Sequence, residues 1–67
     1  MLIKKSITIK KHRTSLSLEK EFWDALEVIS KENQSSIEAL ISNIDYTRES
    51  SLASSTRVFI LQYCRNN

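Results

Sequence analysis

The sequence predicts a mainly α chain with one short strand. It is completed as a homodimer through an intermolecular two-stranded antiparallel ribbon, with a third helix at the C-terminus. Three observations lead there. The 67 residues include no Gly and no Pro, so helix is the default and Asn-Gly or Asp-Gly hairpins are excluded. A chain of this length buries only about 60% of the surface its unfolded form exposes and usually needs a staple. With a single cysteine, Cys64, and a single histidine, His12, that staple is neither a disulfide nor a structural zinc, which leaves oligomerisation.

Composition narrows the function. Without glycine, no phosphate-cradling loop or dinucleotide fingerprint can form. No apolar run approaches the length of a membrane span, and the start Met1-Leu-Ile-Lys-Lys is too short in its apolar part for a signal peptide. A lone thiol suits a reducing compartment, so the expected location is cytoplasmic. The net charge of +2 hides an asymmetry: residues 1–13 carry +5 with no acid, and residues 14–67 carry −3. A basic segment on a mildly acidic body points to a polyanion, most often nucleic acid.

Two segments alternate polar and apolar residues, Ser6-Ile7-Thr8-Ile9 and Thr14-Ser15-Leu16-Ser17-Leu18. They are out of phase, with isoleucines at odd positions and leucines at even ones, so the register must break near Lys10 to Arg13. Residues 13–18 are read as the strand. Residues 1–12 are set apart as a basic N-terminal arm, with the folded domain spanning 13–67. A first helix follows over roughly Glu19–Glu32, with Phe22, Ala25, Leu26 and Ile29 on one face and Asn33 as a left-handed stop. Ser35-Ser36-Ile37-Glu38 has the form of a capping box and starts a second helix of about 35–48, with Ile37, Leu40, Ile41 and Ile44 as its stripe. Ser51 caps a third element, Leu52–Arg65, whose run Val58-Phe59-Ile60-Leu61 is apolar all round.

A single strand cannot satisfy its own backbone groups, so its natural partner is the same strand of a second copy. Leu16 and Leu18 then face the helices and join Phe22, Leu26, Ile29, Ile37, Leu40, Ile41 and Ile44 in a dimer core. Arg13, Ser15 and Ser17 face outward. A two-stranded ribbon fits the major groove, arginine reads guanine, and serine serves either base type. Lys10, Lys11 and His12 lie beside them as candidate phosphate contacts.

These residues resemble the ribbon-helix-helix transcription factors of the MetJ/Arc/CopG superfamily. The likeness rests on alternating Arg13-Thr-Ser-Leu-Ser-Leu18, then Glu19, an amphipathic helix, Asn33-Gln-Ser-Ser36 and a second helix. His12 to Glu19 with Phe22-Trp-Asp-Ala-Leu26 is similar to one bacterial subgroup of small proteins with a third helix ending like Arg57-Val-Phe-Ile-Leu-Gln-Tyr63. The likeness covers about residues 6–65. It implies an intertwined homodimer, base contacts from Arg13, Ser15 and Ser17, and a phosphate clamped at Ser35 and Ser36 at the start of the second helix. It also implies a transcriptional regulator, a repressor, with double-stranded DNA as partner and further assembly on DNA open. Asn33 stands where the family usually carries Gly. Lys11 replaces a Gly that often precedes the subgroup's His-Arg, which leaves the bend before the strand unexplained.

Blunter readings stand beside these. Arg13, Ser15 and Ser17 also suit the solvated face of a half-buried strand. Trp23 lies off the first helix's stripe and reads as partial core or a contact with the third helix. Ser54, Ser55 and Thr56 have no base beside them, and the helix carboxylates have no apolar pocket, so the chain is not read as an enzyme. No cofactor or metal is expected. The rival reading is an antitoxin-like or adaptor dimer whose last helix binds a partner protein.

Overall fold

In the computed structural model, which describes residues 1–66, the chain runs β1 (Leu2–Ile9), β2 (His12–Glu19), α1 (Lys20–Glu32), α2 (Ile37–Thr47) and α3 (Leu52–Arg65). The two strands pair antiparallel as a two-stranded sheet, in a register that sets Ile9 against His12, Ser6 against Ser15 and Leu2 against Glu19. The three helices follow the expected order. The ribbon does not: the partner of β2 is β1 of the same chain, where the sequence pattern alone suggests the strand of a second copy. Residues 1–12, expected as an arm, hold that strand and the turn.

The turn is the physical reason for this difference. Lys10 and Lys11 both have positive φ, 51° and 70°, as a two-residue type I′ connection requires. Such turns favour Asn-Gly, and each lysine held there costs about 1–2 kcal/mol of backbone strain. Burial on the strands offsets this cost. A two-residue turn makes residues 9 and 12 direct neighbours, so the inward positions switch from odd to even. Ile7, Ile9, Leu16 and Leu18 therefore all lie on one face, and all four are buried. The phase break between the two alternating segments is the signature of this hairpin.

The inner face packs on the helices. Ile7, Ile9, Leu16 and Leu18 form one core cluster with Trp23, Leu26, Ile29, Ile41 and Ile60. Of the residues expected in a dimer core, Leu16, Leu18, Leu26, Ile29, Ile41 and Ile44 are buried within one chain, and Phe22, Ile37 and Leu40 are partly buried. The buried stripe of α1 is rotated from the expected one, toward Trp23, Leu26, Ile29 and Ser30. Strand β1 causes the rotation by offering α1 a second surface. The Trp23 indole N–H donates to the Ile3 carbonyl at 2.9 Å, and the Lys5 ammonium lies 5.0 Å from the centre of its ring. Trp23 thus belongs to the seam with the hairpin.

Helix ends follow local chemistry. α1 stops in a Schellman arrangement: the Ser35 N–H donates to the Ser30 carbonyl at 2.9 Å, and that of Gln34 to the Lys31 carbonyl at 3.2 Å. The left-handed residue is Gln34, at φ 53°, rather than Asn33. Asn33 instead sends its side-chain amide to the Ile29 carbonyl at 2.8 Å. Because Ser35 is used to close α1, the cap of α2 moves on by one residue: the Ser36 hydroxyl accepts from the Ala39 N–H at 3.0 Å. The capping box is therefore not formed. At the start of α3, the Ser51 hydroxyl accepts from the Ser54 N–H at 3.1 Å. α3 is buried along Thr56 and Ile60 but exposes Val58 and Leu61, so it is not enclosed on most sides. Among the described residues, no helix is long and apolar enough to cross a membrane.

Candidate nucleic-acid interface

In an antiparallel pair, directly opposed residues share a face. With Ile7, Ile9, Leu16 and Leu18 turned to the helices, the alternate positions turn to solvent. On β2 these are Arg13, Ser15 and Ser17; the first two are exposed and Ser17 is half-buried. Their outward placement, read from the alternation alone, holds in the structure. Sequence reasoning misses the other half of the same face. Lys4, Ser6 and Thr8 of β1 are exposed and stand directly against Ser17, Ser15 and Arg13. The signal that could have found them is the alternation of Ser6 to Ile9, which is a strand pattern in a segment expected to be an arm.

The six side chains form a polar rectangle. Alternate residues on a strand are about 6.8 Å apart, so three of them span about 14 Å, or about four base-pair steps. The ribbon's width matches a groove that admits two strands. None of the six is acidic. The nearest acid on this face is Glu19 at its far end, and its carboxylate accepts from the Arg57 Nε at 3.0 Å. This hydrogen bond, and a second from the residue's own backbone N–H, hold the Glu19 carboxyl below the usual carboxylate range. Arg57 is fixed there, 5.8 Å from the centre of the Phe22 ring.

The hairpin's cations stand differently. Among the described residues, Lys4, Lys5, Lys10, Lys11 and Arg13 take part in no ion pair. Two of them rest on aromatic rings: Lys5 on Trp23, and Lys10 on Tyr46 at 4.7 Å. A ring face orients an ammonium without neutralising it. The turn thus carries Lys10 and Lys11 at the tip with their charge intact. His12 is exposed beside them and borders a shallow cleft with Thr14, Ser15, Asp45 and Arg48. The Arg48 Nε donates to Asp45 at 2.8 Å.

The start of α2 lies against the outer edge of β1. There the Thr8 backbone N–H, which faces away from β2, donates to the Glu38 carboxylate at 2.8 Å. Glu38 therefore ties α2 to the hairpin instead of reaching back to the Ser35 amide. Ser35 and Ser36, expected to hold a phosphate, sit at this junction. The Ser35 N–H is engaged by Ser30 and the Ser36 hydroxyl by Ala39.

Comparison with known families agrees with this geometry. A family model described as a ribbon-helix-helix domain matches residues 2–64, so the match takes in β1 as well as the helices. No curated protein and no solved structure matches the chain closely enough to count as a relative. Members of the matched family are in general non-enzymatic DNA-binding proteins that typically bind as dimers. A two-stranded ribbon leading into successive amphipathic helices, over nearly the whole length that the family model covers, places this chain in the ribbon-helix-helix family.

Proposed function

We propose that the chain is a sequence-specific double-stranded DNA-binding protein of the cytoplasm. In this reading it acts on DNA as a homodimer, inserts the outer face of its ribbon in the major groove and represses transcription. The observation that carries this is the hairpin's outer face, whose six residues Lys4, Ser6, Thr8, Arg13, Ser15 and Ser17 are hydroxyl-rich and include no acid, beside cations that take part in no ion pair among the described residues. Arg13 is the residue suited to two parallel hydrogen bonds with a guanine edge. Ser15 and Ser17 each supply one donor or acceptor. Lys10, Lys11 and His12 hold the backbone, with Ser35 and Ser36 at the start of α2 as further backbone contacts.

The strained turn supports the same reading. A Gly at Lys11 relieves left-handed strain but removes a charge from the tip, and strain retained against a simple remedy is what a functional constraint produces. The test is a binding titration against a selected operator and a scrambled duplex, at two salt concentrations, with the stoichiometry measured by sedimentation. Preference for the operator, a steep loss of affinity with salt and two chains per site support the proposal. Equal binding to both duplexes overturns sequence specificity. One observation favours a second reading: α3 leaves Val58 and Leu61 48% and 56% exposed, an apolar surface suited to a protein partner. Binding through it is insensitive to salt, which separates the two.

A further inference from the structure

We infer that Tyr46, near the end of α2, is a contact to the DNA backbone that acts together with Lys10: its ring holds the Lys10 ammonium, and its phenol hydroxyl donates beside that ammonium to the same phosphodiester. This rests on the proposed DNA binding and brings a residue of the helical body into it.

Tyr46 stands apart among the aromatic residues. Trp23 is buried and Phe22, Phe59 and Tyr63 are partly buried, whereas Tyr46 is 78% exposed. Its hydroxyl has no hydrogen-bond partner among the described residues. An exposed tyrosine by itself calls for no explanation. This one meets the strained tip of the hairpin: the Lys10 ammonium lies 4.7 Å from the centre of its ring, and Lys10 is left-handed at φ 51°. The turn fixes the lysine's backbone and the ring fixes its charged end. A ring face attracts an ammonium without taking up its N–H donors, so these stay available to phosphate oxygens. A tyrosine with its ring engaged and its hydroxyl unused has the make-up of an interface residue.

The position of α2 puts this pair at a wall of the groove. α2 lies along the outer edge of β1: Glu38 in its first turn takes the Thr8 N–H, and Tyr46, two turns later, meets Lys10. A ribbon in the major groove turns its face to the base edges and its edges to the phosphate backbones on either side. What lies along an edge therefore meets phosphate. The acids of this flank are engaged, Glu38 by the Thr8 amide and Asp45 by the Arg48 Nε at 2.8 Å. Glu49 borders a different cleft, between α2 and α3, with Ile44, Thr47 and Phe59. A hydroxyl suits such a site because it reaches a phosphate oxygen with a directed hydrogen bond and carries no charge of its own. Tyr46 thus adds affinity without sequence preference and without adding to the salt dependence.

The experiment titrates the full chain, Tyr46→Phe, Tyr46→Leu, Lys10→Gln and the double variant Lys10→Gln with Tyr46→Leu against the selected operator and the scrambled duplex at two salt concentrations, with a thermal melt for each. A series of operators carrying one uncharged methylphosphonate at a time locates the phosphate. Tyr46→Phe keeps the ring and is expected to lower affinity for both duplexes about tenfold, with the salt slope unchanged. Lys10→Gln flattens that slope by about 0.9. In the Lys10→Gln background, Tyr46→Leu costs no more than Tyr46→Phe does alone, since the ring then has no ammonium to hold. The phosphate whose neutralisation weakens wild type but no longer weakens Tyr46→Phe is the one that Lys10→Gln also ceases to sense. If Tyr46→Phe binds both duplexes like wild type, or if the two variants lose their response at different phosphates, the inference falls and the proposed function stands. If wild type binds neither duplex, both fall.

Discussion

The hairpin and the helical body obey different rules. In the body, some charges are paired and two helix starts are capped: Lys20 meets Asp24 at 2.7 Å, Arg48 meets Asp45 at 2.8 Å, and Ser36 and Ser51 close the starts of α2 and α3. The hairpin holds a left-handed Lys-Lys turn and five cations without a carboxylate partner among the described residues. Local propensity and structure agree where the chain needs stability. They part where it presents a surface, which is the expected mark of a site shaped for binding. The two regions share one core, however, so the hairpin's departures persist only while that core holds them.

The largest effect comes from breaking the shared core. Leu18 is fully buried, with 0% of its surface exposed, and lies between β2 and the helices. Leu18→Ala is expected to cost about 2–5 kcal/mol. At about 0.05–0.15 kcal/mol per residue, a chain of this size has about 3–10 kcal/mol in total, so this one change removes a large part of it. Urea titration followed by circular dichroism should find little or no cooperative transition. A variant that melts like wild type would mean that the hairpin is an appendage and the helices fold without it.

Next come variants that alter the surface and leave the core alone. Arg13→Ala should cost about 1–3 kcal/mol in operator binding and relax preference at a base pair, with the urea midpoint unchanged. Replacing Lys10 and Lys11 together by glutamine should weaken operator and scrambled duplex alike. The salt dependence should flatten by about 0.9 in slope for each phosphate that the variant no longer neutralises. If Arg13→Ala weakens both duplexes equally, Arg13 belongs with the lysines on the DNA backbone. If it shifts the urea midpoint, the outer face is part of the fold's support.

How legible each region is in the sequence follows the same division. The helices declare themselves through periodic apolar residues and caps: α1 and α3 lie within a residue of their expected bounds, and Ser51 caps α3 as expected. The start of α2 falls later than expected because Ser35 and Ser36 are both good caps, and only the closure of α1 decides between them. The hairpin is hidden by its turn. Without Gly, Asn or Asp at the tip, nothing announces a reversal at Lys10 and Lys11, and the change of phase across it reads equally as a bulge or bend. Treating β1 as an arm carries further errors with it: Trp23 is left without its main neighbour, Ile7 and Ile9 fall outside the core, and the strand that pairs with β2 within the chain goes unrecognised. The outward placement of Arg13, Ser15 and Ser17 survives because alternation within β2 determines it whatever strand lies alongside.

A smaller effect runs in the opposite direction. Lys11→Gly removes the Cβ from a residue at φ 70° and is expected to stabilise the fold by about 1 kcal/mol, read as a higher urea midpoint. The same variant should bind DNA slightly less tightly and with a shallower salt dependence, since one charge leaves the tip. Stability and affinity moving apart in one substitution sharpens the contrast between the regions. A destabilised Lys11→Gly would show that the lysine side chain contributes packing that outweighs its strain.

The smallest effect is at the ion pair that joins the two regions, Glu19 at the end of β2 with Arg57 on α3. The Arg57 hydrogen bond lowers the carboxyl's pKa in the folded state. A depressed folded pKa means that the unfolded chain binds the proton more readily, so the pair's stabilisation is present above the unfolded pKa and is lost as pH falls through the folded one. Both side chains are partly exposed, so the contribution is small and screened by salt. Glu19→Gln should leave the melt nearly unchanged in high salt, lower it slightly at neutral pH in low salt, and make it less sensitive to acid than wild type. Melts at neutral pH and below the carboxylate range, each at two salt concentrations, provide the check. If the variant and wild type lose stability in parallel on acidification, Glu19 is not a group that couples hairpin to body, and the two regions are joined by apolar packing and the Trp23 and Glu38 hydrogen bonds.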